Sequence, residues 1–255
     1  MKSFFEILEL RNTPLFYFGA VNLILALLFI LLASISKIKV TGVNAWFKPL
    51  KFALSIATFS WTMAWYTAYL NAPKTIELYN WVVIIFLGFE IFYISIQAAR
   101  GQMSHHNIST PLYGFWLFLM IVSAVIPTLW TGYIGTLFFL TGLPDLPDYY
   151  LLSIKMGIIY FVLFAFEGPM MGARRAHTVG AEDGGEGLPL VNWSKQHGDL
   201  RTAHFIGMHA LQILPLLSFF IFRNILATAI ISSLYGVLAV YSLIVALKGK
   251  PLIRS

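Results

Sequence analysis

The chain has 255 residues, of which 58% are hydrophobic and only 11% charged, with a mean hydropathy of +0.77; this is more apolar side chain than a soluble domain of that length can bury, and lipid is the expected solvent. It contains no cysteine, which excludes disulfides, thiolate metal sites and thiolate-ligated haem. The formal net charge of +6 would suggest nucleic acid in a soluble protein, but here Lys and Arg fall between apolar runs, so the charge reads as topology and lipid-headgroup contact and no nucleic-acid partner is expected.

The N-terminal MKSFFEILELRNTP holds two Glu and a Pro before a long apolar run, and lacks the basic start and short core of a cleaved signal peptide. The first helix is therefore expected to stay attached. Over residues 3–10, Phe4, Phe5, Leu8 and Leu10 beside Glu6 and Glu9 suit a short interfacial turn.

Seven stretches are then long enough, at about 1.5 Å rise per residue, to cross a hydrocarbon core of about 30 Å. They cover about 15–36, 50–70, 77–99, 112–131, 150–171, 202–222 and 225–247. The runs are too long and too continuously apolar for strands, and a barrel would show short alternating segments. The expected fold is all-α, a polytopic transmembrane bundle of about seven helices forming one integral membrane domain over 1–255. Apolar character continues over 132–143, so either Pro127 kinks a longer helix or the extra piece lies in the interface. The one long loop, 172–200, carries Gly184, Gly185 and Gly187 and reads as an irregular, ligand-covering segment.

Basic residues set the expected orientation. Lys2, Arg11, Lys74 and Arg223 fall on one side. Lys37, Lys39, Lys48, Lys51, Arg100, Arg174, Arg175, Lys195, Arg201, Lys248, Lys250 and Arg254 fall on the other. That bias puts the N-terminus outside and the C-terminus in the cytoplasm.

Polar side chains in hydrocarbon are costly, and where they recur at helical spacing they should face the bundle interior. The second stretch carries Lys48, Lys51, Ser55, Thr58 and Thr62, and the third Glu90, Tyr93, Gln97, Arg100 and Ser104. The fifth carries Tyr160, Glu167 and Arg174, and the sixth Arg201, His204, His209 and Gln212. Singly, Ser, Thr and Gln in such positions bond backbone or a neighbouring helix. Four stripes running inward from the same side point to a polar cavity open to the cytoplasm. Glu90 lies about 15 Å inside Arg100, and His209 about 12 Å inside Arg201, by helix rise. On this reading Glu90 and His209 meet at one level and handle protons with Glu167, whereas packing alone would pair a protonated Glu with a neutral His.

All six histidines lie on the cytoplasmic half. His204 with His105 or His106 and a carboxylate from Glu167, Asp183 or Asp199 is the candidate set for a divalent metal, although His204 and His209 are five apart rather than the usual three or four. A transmembrane haem would need two histidines at one depth, and only His209 lies deep. Retinal would need a lysine in the last helix; Lys155, on the fifth, is placed to snorkel. Lys48, Lys51, Arg100, Arg174, Arg175 and Arg201 ring the expected opening, and with Gln97 and Gln212 they are candidates for holding a phosphate, carboxylate or anionic headgroup. Membrane hydrolases that bind zinc through three histidines, the alkaline ceramidase and progestin receptor group, are similar in outline, but their last helix carries a histidine pair four apart and the seventh stretch here has none. The expectation is thus a membrane protein binding or processing an anionic or lipid-like small molecule, with a proton-coupled transporter and a haem-binding electron-transfer protein as alternatives.

Overall fold

A computed structural model describes residues 2–105, 107–188 and 191–253. Its helices are α1 (Phe4–Arg11), α2 (Thr13–Ile35), α3 (Phe47–Thr67), α4 (Pro73–Ala99), α5 (Pro111–Leu140), α6 (Asp148–Ala165), α7 (Glu167–Arg174), α8 (Leu200–Leu217) and α9 (Ile225–Leu247). Two small antiparallel ribbons accompany them. One pairs β1 (Lys39–Val40) with β2 (Val43–Asn44), the other β3 (Thr178–Val179) with β4 (Gly198–Asp199).

Six helical stretches are long and apolar enough to cross a membrane: Thr13–Ile35, Pro73–Ala99, Pro111–Leu140, Asp148–Arg174, Leu200–Phe222 and Ile225–Leu247. The chain is accordingly a polytopic, helical integral membrane protein. Large apolar side chains such as Ile24, Leu27, Leu226 and Val237 point outward, as lipid permits and water does not. α3 has 21 residues but dilutes its apolar side chains with Lys, Ser, Thr and Trp. The extension after residue 131 resolves as one long helix, α5, with Pro127 inside it.

The chain divides into two compact units, Met1–Trp130 and Thr131–Ser255. In the first, a capping box closes α1: Glu6 N–H donates to Ser3 Oγ, and Ser3 N–H to Glu6 Oε2. Asn12 then caps α2, accepting from Leu15 N–H, while its amide donates to Thr67 Oγ1 at 3.0 Å and Asn80 Oδ1 at 2.9 Å. That buried knot ties the start of α2 to the end of α3 and to α4. Arg11 lies over the Trp65 ring at 3.9 Å and donates to the Trp65 carbonyl. Trp61 donates to the Phe16 carbonyl and stacks on Phe16, and Phe29 stacks on Trp46.

The second unit packs by close approach. A Cβ on Gly157 would lie 3.0 Å from the Ala210 carbonyl oxygen, and one on Gly207 would overlap Cβ and Cγ of Phe164, so α6 and α8 touch almost backbone to backbone. Gly236 of α9 accommodates the Tyr160 ring, whose hydroxyl donates to the Ser232 carbonyl. Tyr235 donates to the Ile206 carbonyl at 2.6 Å. Pro215 contributes no N–H to α8, which runs on into a π-helical turn, Ser218–Phe222.

Candidate functional site

In the first unit, Glu90, Tyr93 and Gln97 follow one another at helical spacing on α4 and all three are buried. The Tyr93 ring stacks on Trp116 at 5.5 Å and on Phe89 at 6.2 Å. The buried carbonyl oxygen of Gln97 accepts no hydrogen bond among the described residues. Beyond α4 the stripe continues through exposed Arg100 and buried Ser104 to His105. There Lys48 Nζ stands 2.9 Å from His105 Nδ1, with Ser104 Oγ at 3.1 Å from the same nitrogen. An ammonium only donates, so Nδ1 is the acceptor and the neutral ring carries its hydrogen on Nε2. Lys51 is partly buried on α3.

The rest of the α3 stripe behaves differently. Ser55 and Thr58 are exposed, and Thr62 donates to the Thr58 carbonyl at 2.7 Å. Short hydroxyls satisfied by their own helix carry no need for an interior partner. Polar spacing alone therefore did not fix which way this face points.

In the second unit the span beginning at Asp148 breaks at Phe166, and Glu167 opens α7. Glu167 is 5% exposed, and neither carboxyl oxygen has a hydrogen-bond partner among the described residues. The His204 ring lies along the same turn, with Nδ1 2.8 Å from the Phe164 carbonyl oxygen. A carbonyl only accepts, so Nδ1 is the donor and the neutral ring presents Nε2 as a base. A Cβ on Gly168 would stand 3.6 Å from His204 Cε1. His209 repeats the arrangement within its own helix, donating to the Phe205 carbonyl at 2.8 Å while stacking on the Phe205 ring at 3.9 Å. Gln212 is partly buried on α8 and Arg174 is exposed at the end of α7.

Arg201 has a partner inside the chain. It makes a bidentate pair with Asp199, Nε to Oδ1 at 2.9 Å and Nη2 to Oδ2 at 2.6 Å, and donates to the Asn192 carbonyl. Asp199, almost wholly buried, also caps α8 and accepts from Ser194 N–H. The described residues of the 175–199 segment thus form a folded loop. His177 pairs with Asp183 at 3.1 Å, and Asp183 accepts from the backbone N–H groups of His177 and Thr178. Burial works against the Asp183 charge, but the Thr178 hydrogen bonds and the His177 charge outweigh it and hold the carboxyl below the usual aspartate range. A cleft of about 120 Å³ in this loop is lined by His177, Glu182, Glu186, His197 and Arg201, among others.

Glu90, Gln97, Lys48, Lys51, Arg100 and His105 therefore belong to the first unit, and Glu167, Arg174, Arg201, His204, His209 and Gln212 to the second. His106 lies outside the described residues. Among the described residues no cluster of three or more His, Asp or Glu is placed to hold a metal ion. The reading from sequence passed over Asn12 and Asn80, and took Asp199 only as a candidate metal carboxylate rather than as the α8 cap and the partner of Arg201. Asn12 and Asp199 carry the signal of a capping residue just before a helix, whereas Asn80 shows only as a single polar residue in an apolar run. No known protein family, curated protein or solved structure matches the chain.

Proposed function

We propose that the chain is a seven-span membrane protein that binds or processes an anionic or lipid-like small molecule from the cytoplasmic side, with its N-terminus outside. The supporting observation is the buried α4 stripe Glu90–Tyr93–Gln97, which leads to Lys48 and His105 at the end of the helix where basic residues gather. Polar groups are rarely kept in a membrane span without use. Lys48, Lys51 and Arg100 would attract the negative group, Gln97 would fix a hydroxyl or amide of the ligand, and Glu90 would exchange a proton with it. α3 supplies the seventh crossing, which places the two termini on opposite faces.

Native mass spectrometry of gently purified protein should reveal a retained anionic lipid or metabolite. Lys48→Ala and Gln97→Leu should each lower its occupancy about tenfold, the value of one charge-assisted or buried hydrogen bond. Full occupancy in both variants and in Glu90→Gln would defeat the assignment. The chain has no cysteine, so single cysteines at Ser3 and Lys250 can report topology directly. Labelling from the same side would refute seven crossings. A proton-coupled transporter is the second reading, favoured by the buried carboxyl of Glu167, which has no hydrogen-bond partner among the described residues. Uptake driven by a pH gradient would support it, and turnover in detergent without a gradient would support an enzyme.

A further inference from the structure

The first unit carries cations that the buried stripe does not use. α2 ends at Ile35, and the chain turns at once through the β1–β2 hairpin, whose two-residue turn puts Thr41 at φ +49° and Gly42 at φ +83°. Asn44 fixes this hairpin to the span it leaves, donating to the Ala33 and Ser36 carbonyls at 2.9 and 3.0 Å. A Cβ on Gly101 would stand 3.3 Å from Ile38 Cγ2, so the hairpin also rests against the end of α4. Lys37 and Lys39 on the hairpin and Arg100 on α4 are therefore held on one rim, where two apolar spans end.

All three side chains are exposed, and among the described residues they make no hydrogen bond or ion pair. In the second unit, by contrast, Arg201 is paired with Asp199 and His177 with Asp183. The sequence offers this rim no such partner. It has no Asp or Glu between Glu9 and Glu77, nor between Glu90 and Asp145. The acids of the first unit are Glu6 and Glu9 on α1, Glu77 near the start of α4, and Glu90, buried in mid-helix. The rim thus concentrates positive charge, and an anion from outside the chain is its complement.

The apolar surface leading to these charges selects the anion. Phe92 and Ile96 are exposed at intervals of four before Arg100, on the same face of α4. Leu27, Leu31 and Ile35 make an exposed row at the same interval on α2. A soluble anion has no use for such rows. A phospholipid uses both features, its phosphate meeting the cations and its chains following the rows.

We propose that Lys37, Lys39 and Arg100 bind the phosphate head group of an anionic phospholipid whose chains lie along the exposed rows of α2 and α4. Only Arg100 is shared with the residues assigned to the small-molecule site, so the two lysines test this site alone.

The test is native mass spectrometry of the whole protein in detergent, titrated with dioleoylphosphatidylglycerol and, separately, with dioleoylphosphatidylcholine. The anionic lipid should bind at least about tenfold more tightly, as several cations near one head group imply. The double variant Lys37→Gln/Lys39→Gln should lose most of that preference, and Lys37→Arg/Lys39→Arg should keep it. Lys74→Gln, which removes a charge near the opposite end of α4, should leave it unchanged. Equal affinity for the two lipids in the parent protein would overturn the proposal. So would a preference that survives the double glutamine variant, or one that falls as far in Lys74→Gln. Glycerophosphoglycerol, the head group without its chains, should bind far more weakly than the lipid. Equal binding would identify a site for soluble anions and overturn the assignment to a phospholipid.

Discussion

The unit ending at Trp130 and the unit that follows it solve helix association in different ways. The first joins helices through side chains: the Asn12–Thr67–Asn80 knot, Arg11 over Trp65, and the Phe29–Trp46 and Tyr93–Trp116 stacks. The second joins them by removing side chains, with Gly157, Gly207 and Gly236 admitting a backbone or an aromatic ring. One buried acid falls in each unit, Glu90 in the first and Glu167, without a hydrogen-bond partner among the described residues, in the second. A contact made by long polar and aromatic groups can be partly replaced by rearrangement or interfacial water. A contact made by empty volume cannot, and this difference is measurable.

The largest effect should come from Gly207→Val. Its new atoms would fall on the root of the Phe164 side chain, which cannot swing away, so about 3 kcal/mol or more should be lost. Thermal unfolding in detergent would read this directly, and an unchanged midpoint would break the contrast between the units. Asp199→Ala comes next. It strands the Arg201 guanidinium and removes the acceptor for Ser194 and the α8 cap, at about 2–3 kcal/mol. The loss should be local: limited proteolysis should cut within 175–199 well before the helices unfold.

In the first unit, Asn12→Ala deletes two side-chain bonds and a helix cap, and should cost about 2 kcal/mol. Thr67→Val should recover part of that cost in the double variant, because it removes a hydroxyl left without its Asn12 donor. The smallest effect concerns the loop and pH. The folded Asp183 carboxyl sits below its ordinary value, so its contribution is present above the unfolded value of about 3.9 and fades as pH falls through the lower folded value. Protease resistance of the loop should drop over that acid window in the parent protein. Asp183→Asn should lose resistance at neutral pH and show no further acid step.

Six long apolar helices were legible in the sequence because lipid imposes one requirement on every residue of a run. The seventh stretch, read as 225–247, is α9 residue for residue, and the apolar tail beyond 131 is the far end of α5. The break at Phe166 has a local cause that the reading of spans passed over: Pro169 has no N–H to give the carbonyl of Ala165, four residues back, where α6 ends. Direction was only half legible. On α4 the long or ionisable groups Glu90, Tyr93 and Gln97 are buried together, while Ser55 and Thr58 on α3 are exposed. Arg201 shows a further limit: its charge was evident, but the spacing of two residues to Asp199 became a bidentate pair only once β4 and the start of α8 had set the backbone.

Gly198 lies so close to the Ala246 carbonyl that no side chain would fit between them, and Gly249 sits against Val179 and Gly180. β3 and β4 thus rest on the final turn of α9, which is translated after them. The ribbon is made before its seat exists and cannot dock until α9 has been synthesised. A protein truncated before α9 would therefore present this ribbon undocked and open to proteases.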